Sequence, residues 1–403
     1  MGNTYKNQPM FKIALLSISL ILTSSGAIAS TVLKMQETFA GYSSTSVEAL
    51  VTASNITVMI FVLLSSFIVR LIGTKKTVLL GLVLAGIGGV VPMFSTNYEV
   101  VYVSRLVLGA GLGMFNSLAV SLINEFYTGD TRSKMLGYQS AVQSLGQTVT
   151  TFIAGILVNY NWHYSYVIYA LALVSFVLYM IYVPETEDKQ ESKEEVKEPR
   201  GKQTINAFVI IQSLVLLISF GLLMAMSIKS ASLVVEKNMA NPEFLGTALS
   251  LNTLVGFIFS FFYGNIVKYT KNYTLPICYA FLGIGFLLIS YSTNMVFFTG
   301  SLMFLGVGSA MFLPYSFGII MEKAPKNSAT LAVSISMVGT NLGAYLSPYI
   351  LNFIGNVFNN PTSSFAFSSS AVIFLILAAI YIVFAKFMVL APAEEVEIAT
   401  NEL

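Results

Sequence analysis

Gly86-Ile87-Gly88 and Gly109-Ala110-Gly111 return, 197 residues later, as Gly283-Ile284-Gly285 and Gly306-Val307-Gly308. The same register sets Glu125 on Glu322 and Gly146 on Gly343. A register of 195 sets Gly26, Lys34, Glu48 and Thr52 on Gly221, Lys229, Glu243 and Thr247. Glycines and charges that recur together over half a chain mark an internal duplication. Two hydrophobic halves related in this way imply a membrane protein with a site between them.

The composition agrees. Of 403 residues, 55% are hydrophobic and only 10% are charged, and the mean hydropathy is +0.76. A soluble domain of this size needs far more polar surface. Twelve apolar runs stand out, at 11–33, 47–69, 77–96, 99–123, 135–158, 163–183, 205–228, 244–267, 273–292, 295–320, 328–354 and 366–390. Runs of about 20 residues cross the hydrocarbon as helices, because lipid offers no partner to an open backbone. The alternation of a membrane β-barrel is missing. The expected fold is therefore an all-α membrane protein of two six-helix bundles, 1–183 and 204–403. Between them, 184–203 is a dense mixed-charge stretch that cannot bury a core and reads as a solvated linker.

The first apolar run is long and lacks a small-residue cleavage site, so it is expected to stay as the first span. Cys278 is the one cysteine, which rules out a disulfide within the chain. A net charge of +2 gives no reason to expect nucleic acid as a partner. Metal constellations, nucleophile triads and phosphate loops are lacking, so neither an enzyme nor a cofactor is expected. Gly109-Ala-Gly111-Leu-Gly113 lies inside an apolar run with no strand before it and reads as tight helix packing.

The basic residues set an expected orientation. With both termini cytoplasmic, the inner side collects Lys6, Lys12, Arg70, Lys75, Lys76, Arg132, Lys134, Lys268, Lys271, Lys323, Lys326 and Lys386, together with the linker's Lys189, Lys193, Lys197, Arg200 and Lys202. Only Lys34, Arg105, Lys229 and Lys237 remain for the outer side. A multi-pass protein of the cytoplasmic membrane, acting as a monomer, is the expectation.

Several short motifs sharpen the reading. Ser66-Phe-Ile-Val-Arg70-Leu-Ile-Gly73-Thr-Lys75-Lys76 follows span two; Arg105-Leu-Val-Leu-Gly109-Ala-Gly111 lies in span four. Glu125 is followed seven residues later by Arg132, and Gly137, Gly146 and Ala154-Gly155 punctuate span five. With the 6+6 helices and the charged linker, the chain resembles the major facilitator superfamily over its whole length, and is loosely similar to its drug/proton antiporter branch. It departs from the pattern in places. Arg70 stands where the first loop usually has an acid, Thr150-Thr151 replaces a Gly-Pro whose proline appears only as Pro348, and Ala329 is the counterpart of Arg132. The resemblance implies alternating access, a cavity lined by spans 1, 4, 7 and 10 with 2, 5, 8 and 11, and a cytoplasmic latch at Glu125 and Arg132. Arg70 and Glu322 are expected to take part in that gating.

Polar faces in apolar helices need a reason. Span five carries Gln139, Gln143 and Gln147 on one stripe, facing either a cavity or another helix. Span four sets Arg105 and Asn116 on one face; Asn341 and Tyr345 are repeat-related polar positions in span eleven, and span seven offers Gln212. Lys34 and Lys229, repeat mates at the outer ends of spans one and seven, join Arg105 in a positive field that attracts anions. The plainer reading is headgroup snorkelling or a local pair, Lys34 with Glu37. No acid lies in the middle of a span, so proton coupling is expected of Arg105 with Glu48 and Glu243. His163, beside Trp162 and Tyr164, reads as an interfacial anchor.

These observations point to a secondary transporter of a small organic solute, with proton-linked efflux of amphipathic compounds as the leading expectation. An organic-anion carrier using Lys34, Arg105 and Lys229 is the alternative; a lipid-handling membrane protein is a reading of another class.

Overall fold

The computed structural model describes residues 8–184, 204–325 and 328–385. Nearly all of the expected charged linker, with its lysines and arginine, lies outside the described residues, as do Lys6, Lys326 and Lys386. Among the described residues, the expected spans appear as twelve helical bodies, and no strand occurs. In the first half α1 (Pro9–Ile21 and Ser24–Thr38), α2 (Ser44–Ile72), α3 (Thr74–Phe94), α4 (Tyr98–Phe126), α5 (Gly129–Leu157) and α6 (Trp162–Tyr182) follow in order. In the second half come α7 (Ala207–Ile228, continued by Ser230–Glu236), α8 (Leu245–Ser260, continued by Tyr263–Thr270) and α9 (Thr274–Ser290). They are followed by α10 (Met295–Lys323), α11 (Ala329–Val357) and α12 (Ser363–Phe384).

The duplication is visible in how the helices start and cross. Asn97 caps α4 through Oδ1, and its repeat mate Asn294 caps α10 in the same way. Gly109 faces the Ser54 carbonyl of α2, and Gly306 faces the Asn252 carbonyl of α8. Gly146 meets the Leu20 carbonyl of α1, and Gly343 the Leu217 carbonyl of α7. Leu20 and Leu217 stand in the same 197-residue register. At all four positions a Cβ would overlap the facing backbone, so each crossing requires glycine. Gly146→Val and Gly343→Val are therefore expected to destabilise their own halves alike, by about 1–3 kcal/mol or somewhat more. Detergent melting curves of the two variants check this; one silent variant breaks the equivalence.

Not every span is equally apolar. Among the described residues, eight segments are long and apolar enough to cross a membrane, and α1 makes a ninth if its two parts, bent by 46°, count as one. The expected continuous run 11–33 is thus a broken helix. Runs 135–158, 244–267 and 328–354 fall short of that standard: α5 carries the amide stripe and several threonines, α8 breaks at Phe261–Phe262, and α11 carries Thr340, Asn341 and Asn352. All three face the other half, α5 packing along α8 and α11 against the more apolar α2. That position permits their polarity, since a helix facing protein or water need not match lipid.

Gly73, at φ 84°, ends α2 in a conformation that suits glycine alone, and Lys75 Nζ then donates to the Met180 carbonyl of α6 at 3.1 Å. Arg70 is exposed in the last turn of α2.

Candidate functional site: the seam between the halves

Polar contacts between the halves gather toward one end of the bundle, the end that carries Glu48, Lys229 and Glu243. Lys229 Nζ of α7 lies 2.6 Å from Glu48 Oε1 of α2. Glu48 is 1% exposed, and its other oxygen has no partner. Thr52 Oγ1 donates to the Tyr345 carbonyl at 3.3 Å, and Thr148 and Thr253 join their hydroxyls at 3.0 Å. Asn159 Nδ2 donates to the Glu243 carbonyl at 3.4 Å. Gly155 of α5 and Gly246 of α8 meet backbone to backbone; a Cβ on either would overlap the other's Cα.

Arg105 holds the first half together below this seam. It is fully buried, and its Nε donates to the Leu50 carbonyl at 3.0 Å. One terminal nitrogen donates to Tyr169 Oη at 2.8 Å; the other reaches the carbonyls of Ser25 and Val51. The guanidinium also lies 5.3 Å from the centre of the Tyr169 ring. Tyr169 Oη in turn donates to the Ser24 carbonyl at 3.0 Å. Ser24 and Ser25 open the second part of α1, just past its bend. A broken helix in a membrane frees carbonyls that need donors, and the planar fork of an arginine supplies them. Arg105 therefore ties the bend of α1 to α2, α4 and α6.

The other expected site residues separate into groups. Lys34 sits 3.3 Å from Glu37 with both side chains more than half exposed, the local i,i+3 pair. In the α5 stripe Gln139 is buried and donates to Gln143 Oε1 at 3.2 Å, while Gln143 and Gln147 are half-buried. Asn116 and Asn341 are half-buried; Asn341 Nδ2 donates to Met337 O of its own helix at 2.9 Å. Gln212 is buried, and its Oε1 accepts from Tyr381 of α12 at 2.6 Å. At the opposite end Arg132 Nε donates to Asn124 Oδ1 at 2.7 Å, beside Glu125, and Glu322 lies 3.7 Å from Lys323. Trp162 is buried with Nε1 donating to Thr38 at 2.9 Å, and the half-buried His163, read as an interfacial anchor, meets the Pro92 carbonyl through Nδ1 at 2.6 Å.

Sequence reading missed that Lys229 reaches Glu48 across the halves. The signal was available, since a buried acid needs a cation and only Lys34, Arg105, Lys229 and Lys237 stand at that end. It also missed Tyr169 as the partner of Arg105, and Gly246 as the partner of Gly155; neither follows from spacing within one helix.

Comparison with known proteins places this architecture. The profile of the Major Facilitator Superfamily matches residues 14–236 and 213–402. The bacillibactin exporter of Bacillus subtilis (strain 168) is 24% identical over 157 residues, 37% of this chain and 39% of that protein. The quinolone resistance protein NorA of Staphylococcus aureus is 23% identical over 207 residues, 50% of this chain and 53% of that protein. The chain thus spans about half the length, or less, of the curated relatives it matches. Among solved structures, the peptide transporter POT in complex with sulfate superposes with a TM-score of 0.71 at 14% identity, covering 94% of each chain. The xylose transporter XylE from E. coli, in an inward open conformation, gives 0.68 at 15% identity, covering 90% of this chain and 94% of that one. At such identities the structures speak for the fold alone, and the profile, matched across nearly the whole chain, speaks for the family: this chain is a multi-pass membrane protein that belongs to the Major Facilitator Superfamily.

Proposed function

We propose that the protein exports small amphipathic organic compounds from the cytoplasm in exchange for protons, by alternating access of a site between its halves. Gln143, Gln147, Asn116, Asn341 and Tyr345 are its substrate contacts. The observation that carries this reading is the α5 stripe: half-buried amides on a helix that packs along α8 of the other half. Neutral amides beside apolar side chains suit varied amphipathic ligands without selecting one charge. The bacillibactin exporter, by its name, supports efflux over uptake, and the quinolone resistance named for NorA is compatible with it.

With both termini in the cytoplasm, as the basic residues favour, the Lys229 end faces outward and this structure is closed on that side. The anion-carrier reading has less support. Lys34 is held by Glu37, Lys229 by Glu48 and Arg105 by carbonyls, so the three cations are already partnered.

A thermal-shift comparison of the purified protein tests this. Tetraphenylphosphonium and ethidium at about a hundredfold excess over Kd should stabilise it by about 2.7 kcal/mol, and Lys34→Gln should leave that shift unchanged. Stabilisation by benzoate and citrate instead, lost in Lys34→Gln, would move the assignment to an anion carrier.

A further inference from the structure

We propose that the cavity between the halves is divided by chemistry: α4 and α5 of the first half bind the hydrogen-bonding head of the substrate, and α10 and α11 of the second half bind its apolar body. The substrates are then amphiphiles whose polar end carries amino, hydroxyl or amide groups. The proposal rests on the export reading above and adds to it the class and the orientation of the ligand.

The side of α5 that faces the cavity follows from its contacts. Thr148 and Gly155, about two turns apart on one line, touch α8. One edge beside that line is exposed and apolar, with Leu145, Val149, Phe152 and Ile156. The other edge carries Ser140, Gln143, Ser144 and Gln147. Lipid suits the first edge; water or a ligand suits the second. On α4, Gly109 and Gly113 pack on α2, and Phe126 meets Phe11 of α1 edge-on at 5.1 Å. Between these contacts the line of Asn116, Val120 and Asn124, at i, i+4 and i+8, is left half-buried or exposed.

The 197-residue register places Leu313, Phe317 and Met321 on the equivalent line of α10, and they too are half-buried or exposed. Equivalent lines on the two halves look into one space, yet Asn116 is matched by Leu313 and Asn124 by Met321. Between α5 and α11 the same change recurs. Ser140 corresponds to Met337, Gln147 to Ala344, and Gln143 to Thr340, whose hydroxyl donates to Met337 O of its own helix at 2.9 Å. Asn341, the counterpart of Ser144, turns its Nδ2 to that same carbonyl.

Charge does not distinguish the two walls. Between Arg105 and Glu125 on α4, from Met135 to Leu157 on α5, from Met295 to Met321 on α10 and throughout α11, no charged residue occurs. Hydrogen-bonding capacity does distinguish them. A polar head set against Leu313 and Met337 loses its water without replacement, and against the amides of α4 and α5 it does not. The apolar body gains by the reverse placement. A ligand held across the seam therefore has one favoured orientation.

The test compares two lipophilic cations on the purified full-length protein. Ethidium carries amino groups that hydrogen-bond; tetraphenylphosphonium has no such group. Asn116→Leu, which copies the residue at the equivalent α10 position, should raise the ratio of the ethidium Kd to the tetraphenylphosphonium Kd about two- to tenfold, the effect of one lost hydrogen bond. Phe317→Ala should weaken both ligands about tenfold and leave that ratio within about twofold. Ser140→Ala, at an exposed position on the other first-half helix, repeats the ratio test should Asn116→Leu fail to fold. If both ligands bind but the ratio is unmoved by Asn116→Leu and Ser140→Ala, or moves as far in Phe317→Ala, the division is overturned and the export reading stands. If neither ligand binds the wild-type protein, the export reading itself falls and takes the division with it.

Discussion

Arg105→Leu is expected to destabilise the protein by about 3–5 kcal/mol, since buried acceptors lose a charged partner together. The carbonyls of Leu50, Val51 and Ser25 all lose donors, and Tyr169 loses the guanidinium against its hydroxyl and ring. The carbonyls at the bend of α1 then keep only Tyr169 as a side-chain donor, so transport should vanish with stability. Arg105→Lys keeps the charge but not the fork, and should recover less than half of the loss. Melting curves beside transport rates separate this from a coupling role. A variant that melts like the wild type but loses its response to pH would make Arg105 a coupling residue instead of a brace.

Gly155→Leu should block transport for a different reason. Its Cβ has no room against the Gly246 backbone, so the halves cannot close at the Lys229 end, while packing inside each half is untouched. An overpacking penalty of about 1–3 kcal/mol confined to one state shifts the conformational balance roughly 5- to 150-fold toward the other. Gly246→Leu should act alike from the opposite side. Gly137→Ala, with nothing within 4 Å, should be silent. Distances across the seam report the shift directly; a Gly155→Leu protein that still closes would show that the two helices slide past the obstruction.

Much of the fold was legible because it is repeated. Gly109 with Gly306, and Gly146 with Gly343, mark the same crossings in the two halves, and duplication leaves them in register. The spans were legible because lipid demands long apolar helices, and the weakest of them, α5, α8 and α11, all face the other half. The site was less legible. The amide stripe of α5 shows in one helix, since i,i+4 spacing is local. The partners of Glu48 and Arg105 come from other helices, and the duplication even misleads at one point. Lys34 and Lys229 are repeat mates, yet one pairs with a neighbour on its own helix and the other crosses between halves. Equivalent positions became inequivalent once each found its own counter-charge.

Export driven by a proton gradient is open to test by flux in reconstituted vesicles. With the purified protein in liposomes, an imposed pH gradient should drive ethidium toward the acidic side, against its own concentration gradient, and nigericin should abolish that movement. Ethidium flux indifferent to the gradient, or absent while an organic anion is carried, would contradict the account.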